Sequence, residues 1–194
     1  IDYINQNLQR KQSLDLKYDL DNILGKLEFK LTRSQLISLK EILNDASKDQ
    51  LMNRLLIGDV GSGKTIVAII AMIIFALNGY QAAMMVPTEV LAIQQYEKNL
   101  DLIRKFGLHL GLLTGSQKNK DEIKEKLANG EIDIVIGTHA LIQEDVIFND
   151  LRFVVNDEQH RFGVGQRQAL GKKGEKVNYL TMTATQIPRT ISLR

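Results

Sequence analysis

Residues 58–65 read Gly58-Asp59-Val60-Gly61-Ser62-Gly63-Lys64-Thr65 and fit the pattern G-x-x-x-x-G-K-[ST]. A short apolar run, 55–57, comes directly before them, and the continuously apolar stretch 66–77 follows. The order of strand, glycine-rich loop and helix is the context in which this pattern forms a phosphate-binding loop. A chance match in a glycine-rich turn is the alternative, and the flanking strand and helix count against it.

The residue types in this loop suit the binding of a nucleoside triphosphate. Its three glycines let successive backbone N–H groups approach the phosphates with no side chain in the way. We expect Lys64 to contact the β- and γ-phosphates and Thr65 to give its hydroxyl to Mg²⁺. The helix that begins there points its positive end toward the same anion. Residues 58–65 are therefore the predicted nucleotide-binding segment.

The composition is that of one globular domain with an appendage. The chain has 194 residues, of which 44% are hydrophobic and 25% are charged. The absence of cysteine excludes disulfides and thiolate metal sites and fits a cytoplasmic location. The apolar stretch 66–77 is shorter than the roughly 20 residues that a bilayer needs, and no secretory signal is visible, so we expect no membrane partner. The net charge of +2 neither favours nor excludes nucleic acid.

Beyond the loop, short apolar segments alternate with amphipathic ones. This alternation predicts an α/β fold, a mostly parallel sheet with helices on both faces, in which ligands bind at the carboxyl ends of the strands. Gly130 stands where a helix C-terminal cap belongs. The predicted strands are 81–86, 108–113, 132–136, 153–155 and 177–182, and the predicted helices are 89–106 and 120–129.

An acidic pair, Asp157-Glu158, follows the predicted strand 153–155. Beside a phosphate-binding loop, such a pair at a strand end is the usual second half of an ATP site. We expect Asp157 to hold Mg²⁺, directly or through water, and Glu158 to orient the attacking water for in-line displacement of the γ-phosphate. Without the loop upstream, the pair would indicate only a solvated turn.

Six segments, in order along the chain, resemble the motifs of bacterial RecG-type DNA helicases. The most specific is the DEQH box at 157–160, and the resemblance runs from about residue 29 to residue 194. It implies a superfamily 2 motor whose first RecA-like lobe, a P-loop NTPase fold, is this chain, with ATP bound between it and a second lobe. The other segments are Arg54-Leu55-Leu56 running into the phosphate loop, Val86-Pro87-Thr88-Glu89, Leu113-Thr114-Gly115-Ser116, Gly137-Thr138-His139-Ala140-Leu141 and Thr183-Ala184-Thr185.

The resemblance also implies which residues meet adenine and DNA. Phe29 and Gln35 resemble the adenine-reading Q motif, in which an amide bonds one base edge and a ring stacks. Without the family, a glutamine after a threonine would indicate only a helix start. Hydroxyl and N–H groups at helix starts suit the phosphates of a nucleic-acid backbone, although the same residues could simply cap helices. The segments that resemble backbone-gripping motifs are Thr88-Glu89, Thr114-Gly115-Ser116 and Thr138-His139.

A coupling group and two departures from the family pattern complete the comparison of motifs. His160, Thr183 and Thr185 resemble the residues that link the ATP site to the DNA site through a hydrogen bond that changes with the γ-phosphate. Asn156 stands where an aliphatic residue usually precedes DEQH, and a buried amide there must find partners or loosen the packing. Gln186 replaces the usual proline after Thr-Ala-Thr, which removes a fixed φ.

The sequence therefore predicts an ATP-dependent DNA helicase or translocase of RecG type that acts on branched DNA in repair and recombination. We expect residues 1–27 to connect to an upstream wedge domain and residues 28–194 to form the ATP-binding lobe. Without the second lobe and its arginine finger, this lobe should be weakly active or inactive. The expected location is the bacterial cytoplasm, in association with the nucleoid.

Two alternatives remain open at this stage. One is the motor lobe of a transcription-repair coupling translocase, which shares the phosphate loop and the Gly-Thr-His segment. Gln159-His160 favours the RecG type over it. The other is a nucleotide-binding module with no motor role.

Overall fold

The computed structural model describes residues 16–48, 53–57, 63–157, 170, 172–174 and 176–183. Strands and helices alternate along this part of the chain, as the sequence predicted. The strands are β1 (Asn53–Ile57), β2 (Gln81–Met85), β3 (Leu110–Leu113), β4 (Ile134–Gly137), β5 (Leu151–Asp157) and β6 (Asn178–Thr183). The helices are α1 (Leu20–Gly25), α2 (Arg33–Ala46), α3 (Lys64–Leu77), α4 (Glu89–Lys105) and α5 (Lys120–Ala128), with a 3₁₀ turn at His139–Ile142.

The six strands form one sheet in the order β1-β6-β5-β2-β4-β3, and every neighbouring pair is parallel. Parallel neighbours need crossover connections, and these carry the helices onto both faces of the sheet. The prediction of a parallel α/β sheet covered on both sides is confirmed. None of the helices in the described ranges is both long enough and apolar enough to cross a membrane.

Local sequence signals set most of the helix ends. Thr32 caps α2 through a capping box with Gln35, and Thr88 caps α4 by accepting a hydrogen bond from the N–H of Leu91. Gly130 follows α5 with a φ of +84°, the left-handed conformation that ends a helix at little cost for glycine. The helix that was predicted to end there is confirmed, and it stops at Ala128.

The strand prediction was wrong by two residues at the start of β3 and of β4. The cause is a contact between the two segments, in which the backbone N–H of His109 donates to Asp133 Oδ2 at 2.8 Å. The N–H of Asp133 in turn donates to the carbonyl of His109 at 3.0 Å. Because these bonds lie ahead of the regular ladder, the strands begin only at Leu110 and Ile134.

A hydrophobic core lies on each face of the sheet. On one face α3 is the central element, with ten of its fourteen residues buried and apolar in addition to Lys64. Phe75 of this helix stacks on Phe153 of β5 at 4.7 Å between ring centroids. Ile23 of α1 is 3% exposed in the same core, so the segment before the phosphate loop packs as part of the domain. The opposite core is built around α5 and the 3₁₀ turn.

Strand β1 lies at one edge of the described sheet. Arg54 points to α2, where it forms ion pairs with Glu41 and Asp45, one helical turn apart. The alternate side chains Leu55 and Ile57 are 52% and 43% exposed. The apolar run before the phosphate loop is therefore a strand, as predicted, but one of its sides is open within the described part of the protein.

Candidate functional site

The carboxyl ends of the strands lie in register along one edge of the sheet. Ile57 at the end of β1 is opposite Thr183 on β6, and Met182 is opposite Asp157 on β5. Farther along, Gly137 of β4 is opposite both Met85 of β2 and Leu113 of β3. The segments selected from the sequence follow these ends, so a single edge carries them in the order of the strands.

The half of the edge formed by β1, β6 and β5 carries the residues predicted to bind nucleotide. Lys64 opens α3 and is 8% exposed, and Asp157 ends β5 at 9% exposure. Two strand spacings, about 10 Å in all, separate the ends of β1 and β5. Thr183, a predicted coupling residue, lies at the end of β6, the strand between them. Thr65, predicted to hold Mg²⁺, is half-buried in the first turn of α3.

Gly63 joins this half of the edge to the start of α2. Its φ is +82°, and the amide Nε2 of Gln35 donates to its carbonyl at 3.3 Å. The other end of the same amide, Oε1, accepts a hydrogen bond from the backbone N–H of Thr32 at 2.9 Å. Gln35 therefore lies in the first turn of α2, in the capping box, and it also reaches Gly63 of the phosphate loop. Phe29, the other predicted adenine contact, exposes 49% of its surface nearby in sequence.

Several predicted site residues lie outside the described residues. They are Gly58, Asp59, Val60, Gly61, Ser62, Glu158, His160 and Thr185, together with the departure Gln186.

The remaining half of the edge, formed by β2, β4 and β3, carries the segments predicted to grip a nucleic-acid backbone. The sheet ladder continues into them, because the N–H of Val86 donates to Gly137 and the N–H of Thr138 donates to Leu113. A Cβ on Gly137 would lie 2.3 Å from the carbonyl oxygen of Leu113, so glycine is needed for this approach. Thr88 is exposed, whereas Thr138 is 7% exposed and accepts from the N–H of Ala140. His139 is exposed beside it.

The alternative that Ser116 caps a helix is wrong, because α5 begins after Asn119. Instead Ser116 donates twice to the carboxylate of Glu89, from its backbone N–H to Oε1 at 2.8 Å and from its hydroxyl to Oε2 at 2.7 Å. The hydroxyl bond is the largest cause that lowers the pKa of Glu89 below the ordinary value, with smaller contributions from the Ser116 and Gly115 backbone and from Lys120. At neutral pH this carboxylate is therefore ionised.

Two residues that the sequence analysis did not select also shape this half. Gln117 accepts from the N–H of Thr114 at 3.0 Å and donates to the carbonyl of Leu112 at 2.8 Å. Lys120 donates to the carbonyl of Gly115 at 2.8 Å. Their closeness in sequence to Thr114 was the signal that could have identified them. A turn of this kind has no characteristic spacing of residue types, so the sequence analysis did not select them.

Asn156 was expected to find hydrogen-bond partners or to loosen the packing. It is 0% exposed, and neither side-chain polar atom has a hydrogen-bond partner in the described part of the structure. Its strand neighbours are Met85 on β2 and Thr181 on β6, directly beside the end of β5. The first half of the expectation is therefore wrong as far as the described residues extend, and an uncompensated amide lies next to Asp157.

No three side chains among the described residues form a ready metal cluster. Mg²⁺ bound to a nucleotide usually takes one or two protein ligands and completes its shell with water and phosphate oxygens. The hydroxyl of Thr65 and the carboxylate of Asp157 are the right chemical types, and both lie on the β1-β6-β5 half of the edge. The residues present thus fit a magnesium-bound triphosphate.

The six-stranded parallel sheet, with helices on both faces, is the fold of a RecA-like lobe. The DEAD/DEAH box helicase family matches residues 32–193, and the chain belongs to that family.

Within this family the chain is similar to RecG. It is 50% identical over 189 residues to ATP-dependent DNA helicase RecG of Staphylococcus epidermidis, covering 94% of this chain and 27% of that protein. It is 51% identical over 175 residues to RecG of Thermotoga maritima, covering 89% of this chain and 22% of the relative. A solved structure of RecG bound to a three-way DNA junction matches with a TM-score of 0.84 and 44% identity, covering 98% of this chain and 26% of that one. The chain thus spans about a quarter of the length of these relatives.

Proposed function

We propose that this chain is the ATP-binding lobe of an ATP-dependent DNA helicase of RecG type, which acts on branched DNA in repair and recombination. The observation that carries the proposal is the division of one sheet edge into two halves. Lys64 and Asp157 lie on the β1-β6-β5 half, and the segments after β2, β4 and β3 lie on the other. A motor needs both kinds of site on one rigid element, so that ATP turnover can be coupled to movement along the nucleic acid.

Nucleotide binding in this proposal rests on the start of α3. Lys64 neutralises the β- and γ-phosphates, and the backbone N–H groups of 58–63 bind their oxygens. Thr65 and Asp157 hold Mg²⁺, which, when bound, neutralises charge on the phosphates. Glu158 orients the attacking water. Gln35 and Phe29 bind adenine in this proposal, which is supported by the hydrogen bond that holds the Gln35 amide against the carbonyl of Gly63.

Nucleic-acid binding in this proposal rests on the row formed by Thr88, Thr138 and the 114–116 loop. Contacts of this kind read the phosphate backbone and carry no base code, which suits a translocase that must act on any sequence. The proposed coupling residues are His160, Thr183 and Thr185. Thr183 lies on β6, between the strands β1 and β5. The similarity to a RecG bound to a three-way junction supports branched DNA as the substrate.

The proposal also includes a division of the chain. Residues 28–194 form the first RecA-like lobe, and residues 1–27 connect it to an upstream wedge domain that separates strands at a fork. Within this connection, Ile23 packs into the core of the lobe. A second lobe closes over the ATP and contributes an arginine finger, which is worth orders of magnitude in rate. The proposed location is the bacterial cytoplasm, near the nucleoid.

The test is ATP hydrolysis by the complete protein that contains this chain, measured with and without forked DNA. We expect strong stimulation by forks and less by linear duplex of the same length. Lys64→Ala should abolish turnover in both conditions, because the phosphates lose their cation. Turnover that no DNA stimulates, together with retained Mg-ATP binding, would contradict the motor and favour a nucleotide-binding module.

A further inference from the structure

The carboxylate of Glu89 joins two segments that are 27 residues apart in sequence. Glu89 is the first residue of α4, after β2, and Ser116 lies in the loop after β3. Both oxygens of the carboxylate are engaged, at 2.8 Å by the N–H and at 2.7 Å by the hydroxyl of Ser116. A bidentate, charge-assisted contact of this kind fixes orientation as well as distance.

This contact spans a third strand. In the sheet β2 and β3 are separated by β4, so their ends lie about 10 Å apart, two strand spacings. The end of β4, at Gly137 and Thr138, lies between them and is bonded to both neighbours. The Glu89–Ser116 contact therefore connects the two outer segments across the middle one, and all three are proposed to bind the DNA backbone.

The donors of Ser116 are used within the protein. Its N–H and its hydroxyl hydrogen both go to Glu89, so neither is available to a phosphate oxygen while this contact exists. The rest of the loop is held from its own side, because Gln117 bonds Thr114 and Lys120 bonds the carbonyl of Gly115. The ammonium of Lys120 also offsets the negative charge that Glu89 brings to a surface meant for phosphates.

We propose that Glu89 is a positioning residue, which acts through Ser116 to hold the 114–116 loop at a fixed distance from Thr88 and Thr138. This inference rests on the proposed function, since it concerns the DNA-binding half of the same edge. It assigns Glu89 and Ser116 to the support of the surface, and leaves direct phosphate contacts to their neighbours. Removing the contact frees the loop to move, so that part of the binding energy is spent on ordering it.

The experiment measures ATP hydrolysis by the complete protein as a function of forked DNA concentration. Glu89→Ala and Ser116→Ala should each raise the DNA concentration for half-maximal stimulation about tenfold, with kcat at saturating DNA changing less than twofold. Glu89→Gln should restore most of the affinity, because its amide can accept from the Ser116 N–H and donate to the hydroxyl oxygen. The double variant Glu89→Ala/Ser116→Ala should be no worse than either single variant.

The matched control is Glu97→Ala, which removes the same charge from an exposed position of the same helix. It should leave the DNA dependence as in the wild type. Glu89→Gln behaving as poorly as Glu89→Ala would show that the charge matters rather than the geometry, and would overturn the inference. Tighter DNA binding by Glu89→Ala and Glu89→Gln would overturn the inference as well, by showing that the carboxylate only repels phosphate. If no DNA stimulates ATP hydrolysis by the wild type, both the proposed function and this inference are refuted. If forked DNA stimulates the wild type and Glu89→Ala equally, only the inference about Glu89 is refuted.

Discussion

At the scale of single residues, Gly63 meets two constraints at once. Its φ of +82° is strained for any residue with a Cβ, and a Cβ there would lie 1.9 Å from Nε2 of Gln35. We predict that Gly63→Ala destabilises the fold by roughly 1–2 kcal/mol, mainly through backbone strain, and displaces the Gln35 amide from the carbonyl of Gly63. Mg-ATP binding should weaken tenfold or more, because the strained φ moves the backbone directly before Lys64. Thermal unfolding and titration with a fluorescent ATP analogue measure the two effects.

Gly107 separates backbone strain from collision in this test. Its φ is +75°, and nothing lies within 4 Å of an added Cβ. Gly107→Ala should therefore cost about 1 kcal/mol from conformation alone and leave ATP affinity unchanged. The double variant Gly63→Ala/Gln35→Ala should recover part of the lost stability. Equal effects of Gly63→Ala and Gly107→Ala on stability and on ATP affinity would show that the contact with Gln35 is unimportant.

Asn156 is a buried amide whose two polar atoms have no partner among the described residues. Leaving such groups unsatisfied costs more than replacing them with an apolar side chain of similar size. We predict that Asn156→Leu stabilises the protein by about 1–2 kcal/mol, measured as the free energy of unfolding in urea. This position is the one at which the RecG-type pattern usually has an aliphatic residue.

Asn178 is the matched control for this prediction. It is also 0% exposed, one strand away on β6, but its Nδ2 donates to the carbonyl of Arg152 at 3.2 Å. Asn178→Leu should therefore destabilise the protein by about 1–3 kcal/mol, opposite in sign to Asn156→Leu. A loss of stability in Asn156→Leu similar to that in Asn178→Leu would contradict the prediction.

At the scale of elements, Gln81 connects four of them at the amino edge of the sheet. Its Nε2 donates to the carbonyls of Leu127 and Ile132, at 3.0 and 2.8 Å, and its Oε1 accepts from the N–H of Asp150 at 2.9 Å. The start of β2 is thereby tied to the end of α5 and to the segments that lead into β4 and β5. These connections fix the α5 face of the sheet at the edge opposite the predicted nucleotide site.

We predict that Gln81→Ala lowers the free energy of unfolding by about 2 kcal/mol, since the carbonyl of Ile132 and the N–H of Asp150 lose their bonds to this side chain. The carbonyl of Leu127 still accepts from the N–H of Asn149. Mg-ATP affinity should remain within twofold of the wild type, because the ATP site is at the opposite edge. Urea denaturation and nucleotide titration check the two parts. Gln94→Ala, on the exposed side of α4, should change stability by less than about 0.5 kcal/mol. A comparable loss in Gln94→Ala would contradict the role given to the buried bonds.

The sequence predicted elements whose signals are local, and it missed those that depend on topology. Thr88 and Gly130 mark helix ends by their own chemistry, and both are found where expected. By contrast, the contact of Glu89 with Ser116 requires β4 to lie between β2 and β3, and strand order is not written in any local pattern. For the same reason the sequence did not predict the hydrogen bonds of Gln81, whose partners are 46 to 69 residues away.

At the scale of the whole molecule, the sheet edge has two halves that share one set of strands. The helix α3 that begins at Lys64 packs on the strands of both halves, since its side chains lie in one core with residues of β2, β4, β5 and β6. The helix that begins at Lys64 is thus connected by packed side chains to the strands that end before the 88–89 and 138–139 segments. The motifs in the sequence predicted both groups of segments, but not that each group would occupy one continuous half of the edge.

The proposed division of the catalytic groups between two lobes leads to a prediction about the chain in isolation. One lobe offers the phosphate loop, Lys64, Thr65 and Asp157 for Mg-ATP, but in the proposed function the group that stabilises the transition state comes from a second lobe. We therefore expect the 194-residue chain to bind Mg-ATP yet to hydrolyse it at least about 100-fold more slowly than the complete protein, with forked DNA present in both assays. Lys64→Ala should lose the binding as well, which distinguishes a competent but incomplete site from a misfolded chain. Turnover by the chain as fast as that of the complete protein would show that the catalytic set is contained within one lobe, and would remove the need for an arginine supplied from outside it.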